Sequence, residues 1–273
     1  MPAPMIDGLL FDKDGTLFDF RTSWGRWAAG FLDLMADDKA HAVRLGQAIG
    51  FDAATMTFAP DSPVIAATAS DIAAALAPHL PGETVASLTL RIDETAGGAP
   101  MSEAVPLRPL LTGFRARGLK LGVATNDSER PARQHLDRHA ITDCFDFIAG
   151  WDSGHGAKPA PGMCLAFARS LGLDPARVVM VGDSRPALEA GRAAGMRTVA
   201  VLTGIAGAAD LAPPCRRGPA RHRRLARLVG PAFRLTNRPI TQKRRFCVAD
   251  TVSFAPPLPA SLGSVSGVHE NER

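Results

Sequence analysis

The chain of 273 residues has few cysteines and no long apolar run. Its four cysteines, Cys144, Cys164, Cys215 and Cys247, are widely scattered and form no Cys-x-x-Cys pair, which argues against a disulfide framework and against a zinc site. No apolar run approaches the length of a membrane span, and the N-terminal Met-Pro-Ala-Pro-Met does not resemble a secretion signal. We therefore expect a cytoplasmic protein with reduced thiols and no membrane partner.

Positive charge is concentrated in the last sixty residues. Residues 1–213 carry 19 Lys and Arg against 24 Asp and Glu, whereas residues 214–273 carry 12 against 3. The net charge of +4 and the pI near 9.2 therefore come from the tail. The remainder of the chain is mildly acidic, which gives no reason to expect nucleic acid at its surface.

Residues 9–17 read LLFDKDGTL, an apolar run that stops on Asp12 and Asp14. An apolar strand with this ending places two carboxylates at the carboxyl edge of a sheet, where open α/β folds bind ligands. Carboxylates this close need a cation or a shared proton to coexist. The arrangement suits Asp12 as a nucleophile that attacks phosphorus, with Asp14 as the acid and base that serves the leaving oxygen.

This stretch resembles the first motif of the haloacid dehalogenase superfamily in its phosphatase form. Alternating buried runs and helical stretches predict an α/β fold, a Rossmann-like, doubly wound, mainly parallel sheet formed by residues 1–16 and 99–212. Residues 17–98 are rich in alanine and too long for a simple loop, so we predict an inserted α-helical cap. The resemblance implies the same insertion, which in that superfamily closes over small phosphorylated metabolites.

Two further motifs suit phosphate binding. Thr125 ends the apolar run LGVAT and precedes Asn126, and a hydroxyl beside free backbone N–H groups can hold phosphate oxygens. Lys158 precedes a proline that restricts its backbone, so its ammonium is fixed where it can neutralise the nucleophile and the phosphate. These segments resemble the second and third motifs of the superfamily, in which both groups contact the transferred phosphoryl group.

Asp183 follows the apolar run VVMVG and resembles the fourth motif. It is expected to meet Asp12 and Asp14 at the sheet edge, where oxygen ligands suit Mg²⁺. The resemblance then covers about residues 7–204. One departure is Ala187, which stands where these phosphatases usually carry a second acid. Lys13 is also unusual between the two acids, and strand alternation predicts that its charge lies away from the Asp12 carboxylate.

These observations predict a phosphoric monoester hydrolase similar to phosphoglycolate phosphatases. The expected mechanism passes through an aspartyl-phosphate on Asp12, with Mg²⁺ held by Asp12, Asp183 and the backbone carbonyl of Asp14. Arg21 and Arg26 in the cap are weaker candidates for contacting a substrate carboxylate. A phosphoryl-transferring mutase with the same motifs, and a catalytically impaired or non-enzymatic product, remain alternatives.

Residues 213–273 are rich in arginine and proline without a clear period, and we predict an irregular, disordered basic tail. One interpretation is a segment that binds an acidic partner or nucleic acid. The other is a frameshift near residues 211–214, because synonymous codons for PCRRGPARHRRLARLV, read one nucleotide later, encode HADAVLPDIGALPAW. The second text has the apolar pattern of a normal ending for the predicted fold.

Overall fold

The computed structural model describes residues 6–211, so the hypotheses about the basic tail concern residues outside the described part. The first half contains β1 (Gly8–Phe11), α1 (Phe20–Met35), α2 (Lys39–Ala48), β2 (Phe51–Asp52), β3 (Thr57–Phe58), α3 (Ala69–Leu76) and α4 (Val85–Ala96). The second half contains α5 (Leu107–Arg115), β4 (Lys120–Ala124), α6 (Glu129–Arg138), β5 (Phe147–Ala149), α7 (Gly162–Ser170), β6 (Val178–Gly182), α8 (Arg185–Ala193), β7 (Arg197–Ala200) and α9 (Ala208–Leu211).

A parallel sheet with the strand order β5-β4-β1-β6-β7 forms the centre of the molecule. Successive β1 residues pack on opposite faces: Leu10 lies in a cluster with Phe167 and Met180, whereas Phe11 lies in another with Leu111. Helices cover both faces, as expected for parallel strands that are apolar on both sides. The predicted α/β fold class is confirmed. Because β4 and β6 flank β1, the crevice that binds ligands is expected at their carboxyl ends.

The helical segment after β1 has an apolar cluster of its own. Trp24, Trp27 and Phe31 of α1 pack there with Leu88 and Ile92 of α4. Residues 51–58 form a short antiparallel hairpin, β2 with β3, at the edge of this cluster. Within residues 6–211, no helix combines the length and the apolar character needed to cross a bilayer.

Local capping explains where several helices begin. Asp19 caps α1 by accepting a hydrogen bond from the backbone N–H of Thr22 at 3.0 Å. Thr68 and Asp71 form a reciprocal capping box at the start of α3. The sequence pattern predicts a helix from Ser102 to Arg117, which ends at Gly118, whereas α5 begins at Leu107, after a proline.

Candidate active site

Asp12 and Lys158 form the centre of the cleft at the carboxyl edge of the sheet. Asp12 directly follows β1, and its backbone N–H donates to the carbonyl of Val181 on β6 at 2.8 Å. The Lys158 Nζ lies 2.5 Å from Asp12 Oδ1 and donates to the carbonyl of Ala124 at 3.0 Å. Both side chains are buried, so little water screens their attraction. Lys158 therefore holds the carboxylate in one orientation.

The predicted phosphate-binding pair, Thr125 and Asn126, takes two different places. The Thr125 Oγ1 accepts from the backbone N–H of Asp127 at 3.1 Å, and its hydroxyl can still donate into the cleft. The Asn126 side chain bonds the backbone of Lys158 in both directions, at 2.8 and 2.9 Å. It also donates to the carbonyl of Ala66 at 2.8 Å. The Asn126 amide thus fixes the loop of Lys158 and ties it to residues between β3 and α3.

Asp183 is buried near Asp12, in tightly packed surroundings. Its Oδ1 accepts a hydrogen bond from the hydroxyl of Thr16 at 3.0 Å. Gly15 and Gly204 border it so closely that a Cβ on either glycine would collide with the carboxylate. Burial, followed by the nearby charge of Asp12, raises the pKa of Asp183 well above its ordinary value. Two neighbouring buried carboxylates create an electrostatic need for a cation or a proton.

The donor set at this edge fits a hard divalent cation. Asp12 and Asp183 supply carboxylate oxygens, the ligands that Mg²⁺ prefers. In residues 6–211 no group of three His, Cys, Asp or Glu side chains converges on one point. The carboxylate of Asp14 is instead turned toward Lys13 and Trp24. The backbone carbonyl of Asp14 as a third protein ligand stays a prediction from the sequence.

Lys13 lies at the centre of a buried polar network beneath Asp14. Its side chain has no solvent exposure, and its Nζ lies 2.8 Å from Asp14 Oδ1 and 3.2 Å from Asp127 Oδ2. The same nitrogen contacts His135 Nδ1 at 3.2 Å and lies 5.3 Å from the centre of the Trp24 ring. Sequence reasoning missed this network, because nothing in the sequence pattern shows that α6 returns to this place.

The charges of the network perturb one another. Burial would lower the pKa of Lys13, but the carboxylates of Asp14 and Asp127 outweigh it and raise that pKa above its ordinary value. Burial raises the pKa of Asp127, with Asp14 adding to the effect and Lys13 opposing it. Burial and the Lys13 charge lower the pKa of His135 to about 3. His135 is therefore neutral, with Nε2 donating to the carbonyl of Ala96 at 2.8 Å and Nδ1 accepting from Lys13.

Opposite the sheet edge, the wall of the cleft is apolar. It is formed by Trp24 and Trp27, by Val64, Ile65, Ile72 and Ile92, and by four alanines. Arg21 and Arg26 lie exposed on α1, and neither lines the cleft, because the tryptophans occupy the inward face of that helix. The structure thus does not bring the two predicted substrate arginines to the site.

Ala187, at the position where an acid was expected, is fully buried on α8. It packs against Gly182 at the end of β6, where a Cβ on the glycine would collide with it. The neighbouring Ser184 places its hydroxyl 3.4 Å from Asp12 Oδ2. This corner of the site therefore carries a neutral hydroxyl and a methyl group.

The site is thus a cleft at the carboxyl ends of the strands, in which a buried carboxylate, Asp12, is paired with a buried lysine, Lys158. The model of the haloacid dehalogenase-like hydrolases matches residues 6–195, and the chain belongs to this family. It is 37% identical over 95 residues to phosphoglycolate phosphatase of Rhodospirillum rubrum. This match covers 35% of this chain and 39% of that protein. It is 34% identical over 94 residues to phosphoglycolate phosphatase of Aquifex aeolicus, and that match covers 34% of this chain and 44% of the relative. The chain thus spans less than half the length of these relatives.

Solved structures share the fold. A haloacid dehalogenase-like hydrolase from Bacteroides fragilis superposes with a TM-score of 0.56 and 21% identity, covering 76% of this chain and 92% of the other. CbbY from Rhodobacter sphaeroides, solved in complex with phosphate, superposes with a TM-score of 0.55 and 22% identity, covering 72% and 86%. At these identities the likeness concerns the fold alone.

Proposed function

We propose that the protein hydrolyses a small phosphate monoester through an aspartyl-phosphate intermediate, with Mg²⁺ as its cofactor. The observation that carries this proposal is the ion pair of Asp12 with Lys158 at 2.5 Å, beside the hydroxyl of Thr125, on the floor of one cleft. A carboxylate held by a lysine can attack phosphorus while the ammonium offsets the charge of the phosphoryl oxygens. Membership of a hydrolase family and the phosphoglycolate phosphatase relatives support the same chemistry.

We further propose that residues 17–98 act as the cap over this site. The supporting contacts cross the cleft: Asn126 donates to the carbonyl of Ala66, and Ser128 donates to Asp93 at 2.7 Å. The indole of Trp24 also reaches Asp14 at 2.7 Å. A cap in this position excludes water, which strengthens every charge interaction around the reacting phosphorus.

In the first step Asp12 attacks phosphorus and the ester oxygen leaves. Thr125 donates to a phosphoryl oxygen, and Lys158 remains beside the new acyl phosphate. Asp14 delivers the proton that the leaving oxygen needs. Its Oδ1 already accepts from Lys13 and from Trp24, so Oδ2 is the atom that carries the proton. In the second step the same atom takes a proton from the water that attacks the phosphoryl group.

Mg²⁺ would be held by Asp12, Asp183 and the backbone carbonyl of Asp14, where it would supply positive charge that offsets the phosphoryl oxygens. Asp183 supports this assignment because it is buried beside Asp12 and its pKa is raised.

The substrate that we propose is a small phosphorylated metabolite, and we expect no nucleic acid or membrane to take part. We place the protein in the cytoplasm.

The test is release of inorganic phosphate from a panel of small esters, with and without Mg²⁺. We expect phosphate release that depends on Mg²⁺. We also expect transiently phosphorylated protein when a reaction with an ester labelled in its phosphate group is quenched in acid. Conversion of one phosphate ester into an isomer, with little free phosphate, would favour the mutase. Folded protein that neither releases nor transfers phosphate would refute the proposal.

A further inference from the structure

We propose that the ester hydrolysed by this protein has an uncharged, apolar alcohol part, so that a phosphorylated hydroxy acid is a poor substrate. This inference rests on the proposed phosphatase function and concerns which ester that site accepts. The inference depends on the side of the cleft that lies opposite Asp12 and Lys158. That side, formed by residues of α1, α3, α4 and the segment 64–67, is called the cap wall below.

The cap wall consists of Trp, Val, Ile and Ala side chains. The indole nitrogens of its two tryptophans are the polar side-chain atoms on this wall, and both already have protein partners. Trp24 Nε1 donates to Asp14 at 2.7 Å, and Trp27 Nε1 donates to the hydroxyl of Thr95 at 3.1 Å. The two rings pack edge to face with their centres 5.1 Å apart. A substrate that touches this wall therefore meets ring surface and methyl groups.

On the opposite side of the cleft, the amide of Asn126 and the ammonium of Lys158 are also committed to protein partners. The Asn126 amide is held by the backbone of Lys158 and by Ala66. Lys158 pairs with Asp12, and Lys13 has no exposed surface. Among the residues that the structure describes, no other lysine and no arginine lines the cleft. A substrate carboxylate would thus be enclosed without a cationic partner and close to Asp14.

This balance of groups decides between two kinds of ester. Enclosing an ionised carboxylate without a partner is strongly unfavourable. Enclosing a methyl group against the same wall is favourable, because apolar surface leaves water. The cap wall consequently selects against the charge that phosphoglycolate carries, and for carbon in its place.

The first experiment compares two esters of nearly equal shape with the full chain in Mg²⁺. Phosphoglycolate carries a carboxylate, and 2-methylpropyl phosphate carries an isopropyl group in the same place. We expect kcat/KM to be at least tenfold higher for 2-methylpropyl phosphate. An equal or higher value for phosphoglycolate would overturn the inference.

Methyl phosphate tests phosphatase activity separately from the preference for an apolar alcohol part, because its methyl group is too small to reach the cap wall. Release from methyl phosphate and phosphoglycolate, with none from 2-methylpropyl phosphate, would overturn the inference and leave the proposed function standing. No release from any of the three esters would remove both.

Binding gives a readout that does not need turnover. The phosphonate 3-methylbutylphosphonate mimics 2-methylpropyl phosphate, and 3-phosphonopropionate mimics phosphoglycolate, each with carbon in place of the ester oxygen. We expect 3-methylbutylphosphonate to change the tryptophan fluorescence at a concentration at least tenfold lower than 3-phosphonopropionate. The reverse order would contradict the apolar assignment.

A substitution in the cap wall tests the same idea from the protein side. Ala67 is half-buried on the wall, so Ala67→Arg can place a guanidinium in the cleft. Ala67→Met is the matched control, since it adds a side chain of comparable length without charge. We expect the ratio of kcat/KM for phosphoglycolate to that for 2-methylpropyl phosphate to be at least tenfold higher in Ala67→Arg than in Ala67→Met. Equal ratios would show that the alcohol part does not meet this wall.

Discussion

The ammonium of Lys13 lies 2.8 Å from Oδ1 of Asp14, on a side chain with no solvent exposure at all. The indole of Trp24 donates to the same oxygen at 2.7 Å. Two donors on one oxygen leave the other oxygen of Asp14 to face the substrate, so Lys13 orients the proposed acid without touching the ester. The arrangement depends on charge balance, because Asp127 is buried beside the same ammonium at 3.2 Å.

Lys13→Met tests that balance. The substitution keeps the volume of the side chain but leaves the buried carboxylates of Asp14 and Asp127 without their cation. Removing one partner of a buried ion pair typically costs about 3–5 kcal/mol. We expect a loss of this size in the free energy of unfolding, measured in urea. The double variant Lys13→Met/Asp127→Asn removes one of the stranded charges and should recover part of the loss. A single variant as stable as the wild type would contradict this account.

Asp12→Asn should abolish phosphate release while the fold is kept. Asparagine has nearly the same shape, but its amide cannot form the acyl phosphate that the mechanism requires. The expected result is loss of turnover and of acid-stable phosphorylation, with an unchanged circular dichroism spectrum. Asp33→Asn, at an exposed position on α1, is the control for removing one negative charge. Wild-type turnover in Asp12→Asn would refute the assignment of the nucleophile.

Much of the fold followed from patterns that are local in the chain. The apolar run VVMVG predicts a buried strand over Val178–Gly182, and β6 has these bounds with all five residues buried. Other helix ends differ from the predicted ones by a few residues. One example is α5, whose first helical residue follows Pro106. The hairpin of β2 and β3 escaped prediction because strands of two residues leave no detectable alternation. Helix α4 was also not predicted; its start depends on a capping box of Thr84 with Ser87.

The site was less predictable, because side chains find partners that are distant in sequence. Lys13 meets His135 across 122 positions, and Asn126 meets Ala66 across 60. Motifs indicate which residues gather at the strand ends, but they do not show which atoms are already committed. Asn126 illustrates this: the sequence pattern suggested a phosphate ligand, whereas its amide holds the Lys158 loop and the segment after β3.

Asn126 and Thr125 should therefore respond differently to substitution. Asn126→Ala removes three hydrogen bonds and leaves the backbone of Lys158 without buried partners, at about 1–3 kcal/mol for each unsatisfied group. We expect a clear fall in melting temperature together with lower activity. Thr125→Val removes one internal hydrogen bond and the donor offered to phosphate. Its melting temperature should fall less, while the concentration of inorganic phosphate needed to inhibit the enzyme should rise. If Thr125→Val lowered the melting temperature more and Asn126→Ala weakened phosphate inhibition more, Thr125 would be the structural residue and Asn126 the phosphate ligand.

His135 predicts a dependence of stability on pH. Burial and the Lys13 charge hold its pKa at about 3 in the folded protein, against an ordinary value of 6.5. Between these two values the unfolded chain binds more protons than the folded one, so the free energy of unfolding falls as the pH is lowered from 6.5 towards 3. His135→Gln keeps a donor for the carbonyl of Ala96 and an acceptor for Lys13, but it does not titrate.

The measurement is urea unfolding of both proteins at several pH values from 7.5 to 4. We expect the wild type to lose more stability than His135→Gln as the pH falls, with the two curves separating below about pH 6.5. Asp127, whose pKa is raised by burial, is present in both proteins, so its contribution is common to the two curves. His79→Gln, at an exposed histidine, is the control and should follow the wild type. Parallel curves for the wild type and His135→Gln would mean that the buried imidazole accepts a proton as readily as it does in the unfolded chain.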